Sequence, residues 1–306
     1  MAEAGAATRC GFVAILGAPN VGKSTLLNRL VGTKVSIVTS KVQTTRRRIL
    51  GITVKGAAQL VFVDTPGIFV PRPGRRLEQA MVRAAWRGVE DADRRLLVVD
   101  AKRGIDRDTR VILDGMRERG FRDSILTLNK LDLVAPPTTL PLIRELDQAG
   151  LFERVLIISA LTGDGCDDLL QALLDVLPAG PWLFPEDQLS DLSQRAMAAE
   201  ITREKLFEQL HQELPYSLTV ETENWAASAD GREIRIDQTI YVQRATQKAI
   251  VLGKGGHQIK AVGQAAREEL EQILECRVHL FLYVKVRQRW TEDPERYREL
   301  GIEFPG

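Results

Sequence analysis

The sequence predicts an α/β chain in two parts: a domain built on a mostly parallel, doubly wound sheet, then a smaller α+β domain. Three observations carry this. Short apolar runs without polar alternation recur at wide intervals through the first part, as strands buried on both faces do, and helical patterns lie between them. Pro178, Pro181 and Pro185 then fall close together around Gly180, a linker composition. Beyond them the strand runs lengthen and alternate. A chain of 306 residues also exceeds the usual size of one domain.

The buried runs are Phe12–Leu16, Leu60–Val63, Leu96–Val99, Ile125–Leu128 and Val155–Ile158. Helices are expected at Ser24–Val31, Glu78–Val89, Thr109–Arg119 and Asp167–Leu177. The first domain spans 10–178 and the linker 179–189, leaving 190–306 for the second domain. There the pattern predicts a helix at Ser190–Glu213, strands at Ser217–Trp225 and Glu233–Val242, and a glycine-rich turn at Gly253–Gly256. A helix at Gln258–Leu274 and a last strand at Arg277–Arg289 follow. In that strand Leu280, Leu282, Val284 and Val286 take one face, and Phe281, Tyr283, Lys285, Arg287 and Arg289 the other.

With 44% hydrophobic and 27% charged residues the chain reads as a folded protein. Cys10, Cys166 and Cys276 are too few and scattered for a disulfide framework or zinc site, and are expected as reduced thiols in a cytoplasmic protein. No apolar run reaches membrane-spanning length, and the N-terminus lacks the form of a signal peptide. The net charge of +1 argues against a general polyanion binder. Yet no acid occurs between Ala4 and Val63, where nine Lys and Arg do, and none between Gln238 and Arg267, which holds Arg244, Lys248, Lys254, Lys260 and Arg267. Two positive segments inside a balanced chain attract phosphates.

Gly17-Ala18-Pro19-Asn20-Val21-Gly22-Lys23-Ser24 has the Walker A spacing, follows a buried strand and opens a helix that continues with Thr25. Its glycines let backbone N–H groups cradle phosphate oxygens at a helix N-terminus. Lys23 is expected to reach the β- and γ-phosphates, and the Ser24 hydroxyl to coordinate Mg²⁺. Asp64-Thr65-Pro66-Gly67 ends the next buried run, placing Asp64 to hold Mg²⁺ through water and the Gly67 N–H to sense the γ-phosphate. The base reader is Asn129-Lys130-Leu131-Asp132. Asp132 accepts two hydrogen bonds from guanine where adenine presents the wrong pattern, Lys130 lies along the base and Asn129 braces the loops. Ser159-Ala160-Leu161 ends a later strand, and the Ala160 N–H is expected to meet the guanine oxygen. Four elements in this order make a site for GTP and GDP.

Residues 12–177 resemble translation-factor-type GTPases of the TrmE/Era branch. The resemblance implies a switch threonine in Thr44-Thr45-Arg46, with Thr45 the first choice for Mg²⁺ and γ-phosphate and Thr44 the second. It also implies that Asn20 helps bind K⁺ where an arginine finger would otherwise sit. One departure bears on rate. Ile68 follows Gly67 where Ras-like enzymes carry a Gln that orients the attacking water, so slow intrinsic hydrolysis is expected. The catalytic set is thus Lys23, Asn20, Thr45 and Gly67.

Gly253-Lys254-Gly255-Gly256 matches GxxG, a weak string in a chain with 24 glycines. Its context is stronger, with Ile250-Val251-Leu252 before it, an amphipathic helix after it and a basic strand closing the unit. This is the arrangement of a KH domain, type II-like, whose turn grips about four nucleotides of single-stranded RNA. Arg244, Lys248, Gly253, Lys254, Gly255, Gly256, His257, Lys260, Lys285 and Arg287 are the expected RNA contacts.

A P-loop GTPase domain followed by a KH domain is similar, over about residues 10–304, to the Era family of bacterial small-subunit assembly GTPases. Lys41–Arg47, Trp182–Gln188 and Glu213-Leu214-Pro215-Tyr216-Ser217 also match. The family implies binding near the 3′ end of small-subunit ribosomal RNA on the pre-30S particle and some peripheral inner-membrane association; a monomer is the default expectation. Two alternatives are a tRNA-modification-type GTPase and an RNA-binding module with an inactive nucleotide site. The former calls for a folate-binding domain before the first strand and a C-terminal cysteine, where this chain has Phe304-Pro305-Gly306. Intact Lys23, Ser24, Asp64 and Asp132 oppose the latter.

Overall fold

The computed structural model describes residues 8–39, 41, 45, 48–210, 218–288, 294, 297 and 302–304. It divides into two compact units. One comprises Met1–Ser36, Thr45–Asp191 and Tyr297–Gly306, and the other Ile37–Thr44 and Leu192–Arg296.

In the first unit β1 (Arg9–Leu16), β3 (Ala58–Asp64), β4 (Arg94–Asp100), β5 (Ser124–Asn129) and β6 (Phe152–Ile157) are parallel, while β2 (Ile49–Lys55) joins β3 antiparallel. The strand order is β2-β3-β1-β4-β5-β6. Helices α1 (Lys23–Val31), α2 (Arg76–Glu90), α3 (Arg107–Glu118), α4 (Thr139–Asp147) and α5 (Cys166–Asp175) intervene. The apolar runs predicted as strands are its core: Val13, Ile15, Leu60, Phe62, Leu96, Leu97, Ile125 and Leu128 are buried in it. Strand β2 was absent from the sequence reading. Its run of Ile49, Leu50, Ile52 and Val54 closes a hairpin at Lys55-Gly56-Ala57, where Gly56 takes φ 57, a short turn that only the local residues announce.

The proline-rich segment lies along this sheet. Gln59, fully buried, accepts from the N–H groups of Leu183 and Phe184 and donates to the Phe184 carbonyl. Trp182 Nε1 donates to Ala57 O, and Ser190 Oγ donates to Leu50 O. A further apolar cluster joins Ala80 and Met81 of α2 to Tyr297 and Ile302, with Phe304 edge-on to Tyr297. Nothing in the residue pattern of this C-terminal stretch announced that packing.

The second unit holds α6 (Gln194–Gln209), β7 (Leu218–Ala227), β8 (Glu233–Val242), α7 (Ala245–Leu252), α8 (His257–Leu274) and β9 (Arg277–Val286). Its sheet runs β7-β8-β9, antiparallel then parallel. Helix α6 is shorter than expected because Ser193 caps it, its hydroxyl accepting from the Ala196 N–H. Ile240, Val242, Val262 and Val284 form one buried cluster, and Ile236, Ala266, Leu270 and Val278 another. Residues 37–44 count with this unit: Val38 N donates to Glu204 Oε1 at 2.7 Å, and Lys41 Nζ to the carbonyls of Phe207 and Leu210.

Candidate functional site

The loop from Gly17 to Ser24 joins β1 to α1 as expected. Gly17 (φ 155) and Gly22 (φ 100) have conformations that strain a side chain. Space forbids one too: a Cβ on Gly22 would lie 2.3 Å from Asn129 Nδ2, and one on Gly17 2.6 Å from Val98 O. Gly22 caps α1 without a side-chain hydrogen bond, so the helix's first N–H groups are open to an anion. Lys23, buried, donates from Nζ to the carbonyls of Gly17 and Ala18, both at 3.0 Å. Burial pushes its pKa down to about 8, opposed by the Asp64 charge.

Asp64, at the end of β3, collects three hydroxyls on one oxygen. Ser24 Oγ donates to Oδ2 at 2.9 Å, Ser36 Oγ at 3.0 Å and Thr45 Oγ1 at 3.3 Å, with Thr45 also 3.1 Å from Ser24 Oγ. Its other oxygen, Oδ1, is buried with no hydrogen-bond partner among the described residues. Burial raises the Asp64 pKa, while Lys23 and the three hydroxyls pull it down. A buried carboxylate oxygen without a donor, beside a serine and a threonine hydroxyl, suits a hard divalent cation such as Mg²⁺. The structure thus brings Ser24, Thr45 and Asp64 together. Thr44 lies outside the described residues. Ser36 was missed by sequence reasoning, since Lys34-Val35-Ser36-Ile37 carries no spacing that marks it.

Thr65 Oγ1 donates to Ile15 O at 3.1 Å, which ties the β3 end to β1. Gly67 sits against Pro19: a Cβ there would lie 3.2 Å from the Pro19 nitrogen. Ile68 is fully buried in the core, so the position that carries a water-orienting Gln elsewhere is spent on packing.

At the base-reading end, Asn129 Nδ2 donates to Val21 O at 2.8 Å, and Lys130 Nζ to Asn20 O at 2.6 Å and Asp100 Oδ2 at 2.7 Å. Asp132 is exposed and accepts from Ser159 Oγ at 2.6 Å. An unpaired Asp132 costs most when desolvated, and in this exposed position that desolvation is something a bound base would supply. The Ala160 N–H donates to Asn129 Oδ1 at 2.9 Å and so braces Asn129 in this structure. Arg29 secures the same loop, donating from Nε to Ala160 O and from Nη2 to Leu161 O. The Leu161 side chain stands exposed at its tip.

In the second unit Gly253 (φ 72), Gly255 (φ 61) and Gly256 (φ 78) make a turn that opens α8 at His257. Gly256 caps that helix without a side-chain bond. Lys254, Gly255, His257 and Lys260 are exposed along it, and Arg244 lies at the N-cap of α7. Lys248 is half-buried on α7. Ile250, 56% exposed one turn ahead of the glycines, is an apolar contact point the sequence reading left unassigned. Lys285 and Arg287 are not gathered here. Alternation along β9 sends Leu282 and Val284 toward the helices and Lys285 to the other face, where its Nζ meets Glu223 Oε1 at 3.1 Å. Arg287 lies over the Tyr241 ring on that same face. Arg289 falls outside the described residues.

A phosphate loop, a hydroxyl-ringed aspartate and an Asn-Lys-x-Asp loop on one doubly wound sheet, with a GxxG unit after it, define a KH-domain GTPase. Residues 12–130 match the family described as a 50S ribosome-binding GTPase, and 213–291 the KH domain. GTPase Era of Rhizobium meliloti is 57% identical over 298 residues, covering 97% of this chain and 94% of that protein. GTPase Era of Mesorhizobium japonicum is 58% identical over 299 residues, covering 98% and 95%. A crystal structure of an Aquifex aeolicus Era variant bound to GDP and aluminium fluoride superposes with a TM-score of 0.90 at 40% identity, covering 96% of this chain and 99% of that one. A structure of Era with MgGDPNP and nucleotides 1506–1542 of 16S ribosomal RNA gives the same values. The chain belongs to the GTPase Era family and hydrolyses GTP to GDP and phosphate.

Proposed function

We propose that this GTPase is a switch that binds small-subunit ribosomal RNA near its 3′ end and assists 30S assembly, acting in the cytoplasm as a monomer. The observation that carries the switch is the meeting of the Ser24 and Thr45 hydroxyls on one oxygen of Asp64, whose other oxygen has no partner among the described residues. In this reading Ser24 and Thr45 would hold Mg²⁺ directly and Asp64 through water, and the cation would offset charge on the phosphates. The N–H groups from Ala18 to Thr25, with Lys23, hold the phosphates; Thr65, Pro66 and Gly67 shape the γ-phosphate side. Asn129, Lys130, Asp132, Ser159, Ala160 and Leu161 enclose guanine.

Thr45, in the first unit, directly follows residues 37–44, which count with the second. Loss of the γ-phosphate frees Thr45 and with it that stretch, which is how nucleotide state would be felt by the RNA-binding unit. Bases lie along Ile250 and α8, while the 253–256 turn and Lys254, His257 and Lys260 hold the backbone. Arg244 and Lys248 flank that path. Asn20, held at φ 66 in the phosphate loop, is the residue through which K⁺ would neutralise transition-state charge.

The test is hydrolysis of GTP and of ATP, with and without a short single strand from the 16S 3′ end, in K⁺ and in Na⁺ at equal ionic strength. Turnover specific to GTP, raised by the RNA and faster in K⁺, is expected. Turnover indifferent to the RNA breaks the coupling, and turnover indifferent to the cation removes the K⁺ role.

A further inference from the structure

Three successive carbonyls of the phosphate loop are each held by a side chain from elsewhere in the first unit. Arg103 Nη1 donates to Pro19 O at 3.0 Å, Lys130 Nζ to Asn20 O at 2.6 Å and Asn129 Nδ2 to Val21 O at 2.8 Å. A trans peptide is planar, its C=O and N–H pointing opposite ways. Each held carbonyl therefore turns the next N–H, of Asn20, Val21 and Gly22, toward the inside of the loop. Lys130 and Asn129 belong to the base-reading loop. Arg103 belongs to none of the nucleotide motifs; it lies between β4 and α3.

Arg103 is itself well anchored. Its backbone N–H donates to Asp100 Oδ1 at 3.2 Å, and the other oxygen of Asp100 binds Lys130 Nζ at 2.7 Å. Its Nη2 pairs with Asp106, which caps α3. One carboxylate, Asp100, thus holds the backbone of Arg103 and the side chain of Lys130, the two residues that pin the Pro19 and Asn20 carbonyls. The peptide they hold leads into Asn20, left-handed at φ 66, a conformation that glycine adopts more readily than a residue with a Cβ.

We propose that Arg103 is a positioning residue for GTP hydrolysis: by fixing the Pro19 carbonyl it keeps the Asn20 amide aimed at the phosphates. An amide aimed in advance contributes most where charge develops, in the transition state, so its loss falls on turnover more than on binding. The inference rests on Gly17–Ser24 being the phosphate loop.

The experiment measures kcat and KM for GTP with full-length wild type, Arg103→Ala, Arg103→Lys and Lys23→Ala, together with backbone amide NMR of the GDP-bound protein. The Arg103 side chain is 43% exposed, so its removal opens no cavity. Arg103→Ala is expected to lower kcat by about tenfold with KM changed by less than about threefold. It also shifts the Asn20 amide resonance while leaving that of Gly22, and Arg103→Lys, which keeps a donor, recovers part of the rate. Unchanged kcat, or an Asn20 amide that does not move, overturns the proposal, as does a loss of rate matched by an equal fall in melting stability with no recovery by Lys. Lys23→Ala is expected to lose GTP binding. Retained binding in that variant would overturn the phosphate-loop reading itself, and lost binding beside a normal Arg103→Ala enzyme would overturn the Arg103 role alone.

Discussion

Each unit carries a glycine turn that opens directly onto a helix N-terminus, Gly22 before α1 and Gly256 before α8, and neither helix has a side-chain cap. Both turns leave helix N–H groups for an anion, yet they are held differently. Around the first, Arg103, Lys130, Asn129 and Lys23 bond to five of the loop's carbonyls, those of Gly17, Ala18, Pro19, Asn20 and Val21. Around the second, the described residues place no side-chain hydrogen bond on the carbonyls of 253–256, and a Cβ on Gly255 or Gly256 would meet nothing within 4 Å. A locked loop suits a ligand of fixed shape whose reaction needs preorganised donors. An open turn suits a flexible strand whose backbone must come close.

The sharpest way to break this contrast is to place a methyl in the locked turn. Gly22→Ala sets a Cβ 2.3 Å from Asn129 Nδ2 at φ 100. Asn129 must then move, loosening its bonds to Val21 O and from Ala160 N. Two disturbed buried hydrogen bonds plus backbone strain amount to about 3 kcal/mol or more, so GTP affinity is expected to fall by about a hundredfold or beyond. Equilibrium titration with a fluorescent guanine nucleotide measures it, with circular dichroism to confirm folding. An affinity within threefold of wild type would mean that the loop is not locked.

Beyond Gly253, where a Cβ would lie 2.6 Å from Gln258 Cβ, the open turn should tolerate substitution structurally and fail only in binding. Lys254→Asp with Gly255→Asp adds two acids where nothing crowds them, and Asp accepts the left-handed backbone better than most residues. Melting temperature is expected to stay within about 2 °C. Affinity for a short single strand from the 16S 3′ end is expected to fall by roughly tenfold to a hundredfold at moderate salt, because a cation is lost and two anions face the phosphates. Fluorescence anisotropy reads it. A drop in melting temperature with unchanged RNA affinity would make the turn structural.

This difference also explains what the sequence disclosed. A locked site needs particular residues at particular spacings, so Lys23, Asp64, Asn129 and Asp132 stand out in the sequence alone. Their supports did not. Ser36 and Arg103 act through single hydrogen bonds to an aspartate and a carbonyl, contacts that depend on where β3 and the phosphate loop lie and that leave no periodic trace. The parallel strands were legible because burial on both faces leaves unbroken apolar runs. Strand β2 and helix α4 were not, the first hidden behind basic residues and the second only weakly apolar on its buried side, where Leu146 is fully covered. Lys285 shows the reverse failure. Its charge suggested RNA, but strand alternation and Glu223 commit it to the far face of the sheet.

The smallest effect separates the two turns by salt. If the open turn works mainly as a charged clamp, each lysine that neutralises a phosphate releases counterions, and log affinity falls against log salt with a slope of about −0.7 per contact for a single strand. Lys260 stands exposed one turn into α8, within reach of a backbone gripped at 253–256. Lys260→Gln is expected to weaken RNA binding about threefold in dilute salt and to make the slope less negative by about 0.7. Lys285→Gln, already tied to Glu223 at 3.1 Å, is expected to change the slope by less than about 0.2. RNA anisotropy from 50 to 300 mM salt compares the two. Equal slope changes would put the strand across both faces of the sheet, and the assignment of the clamp to one face would fall.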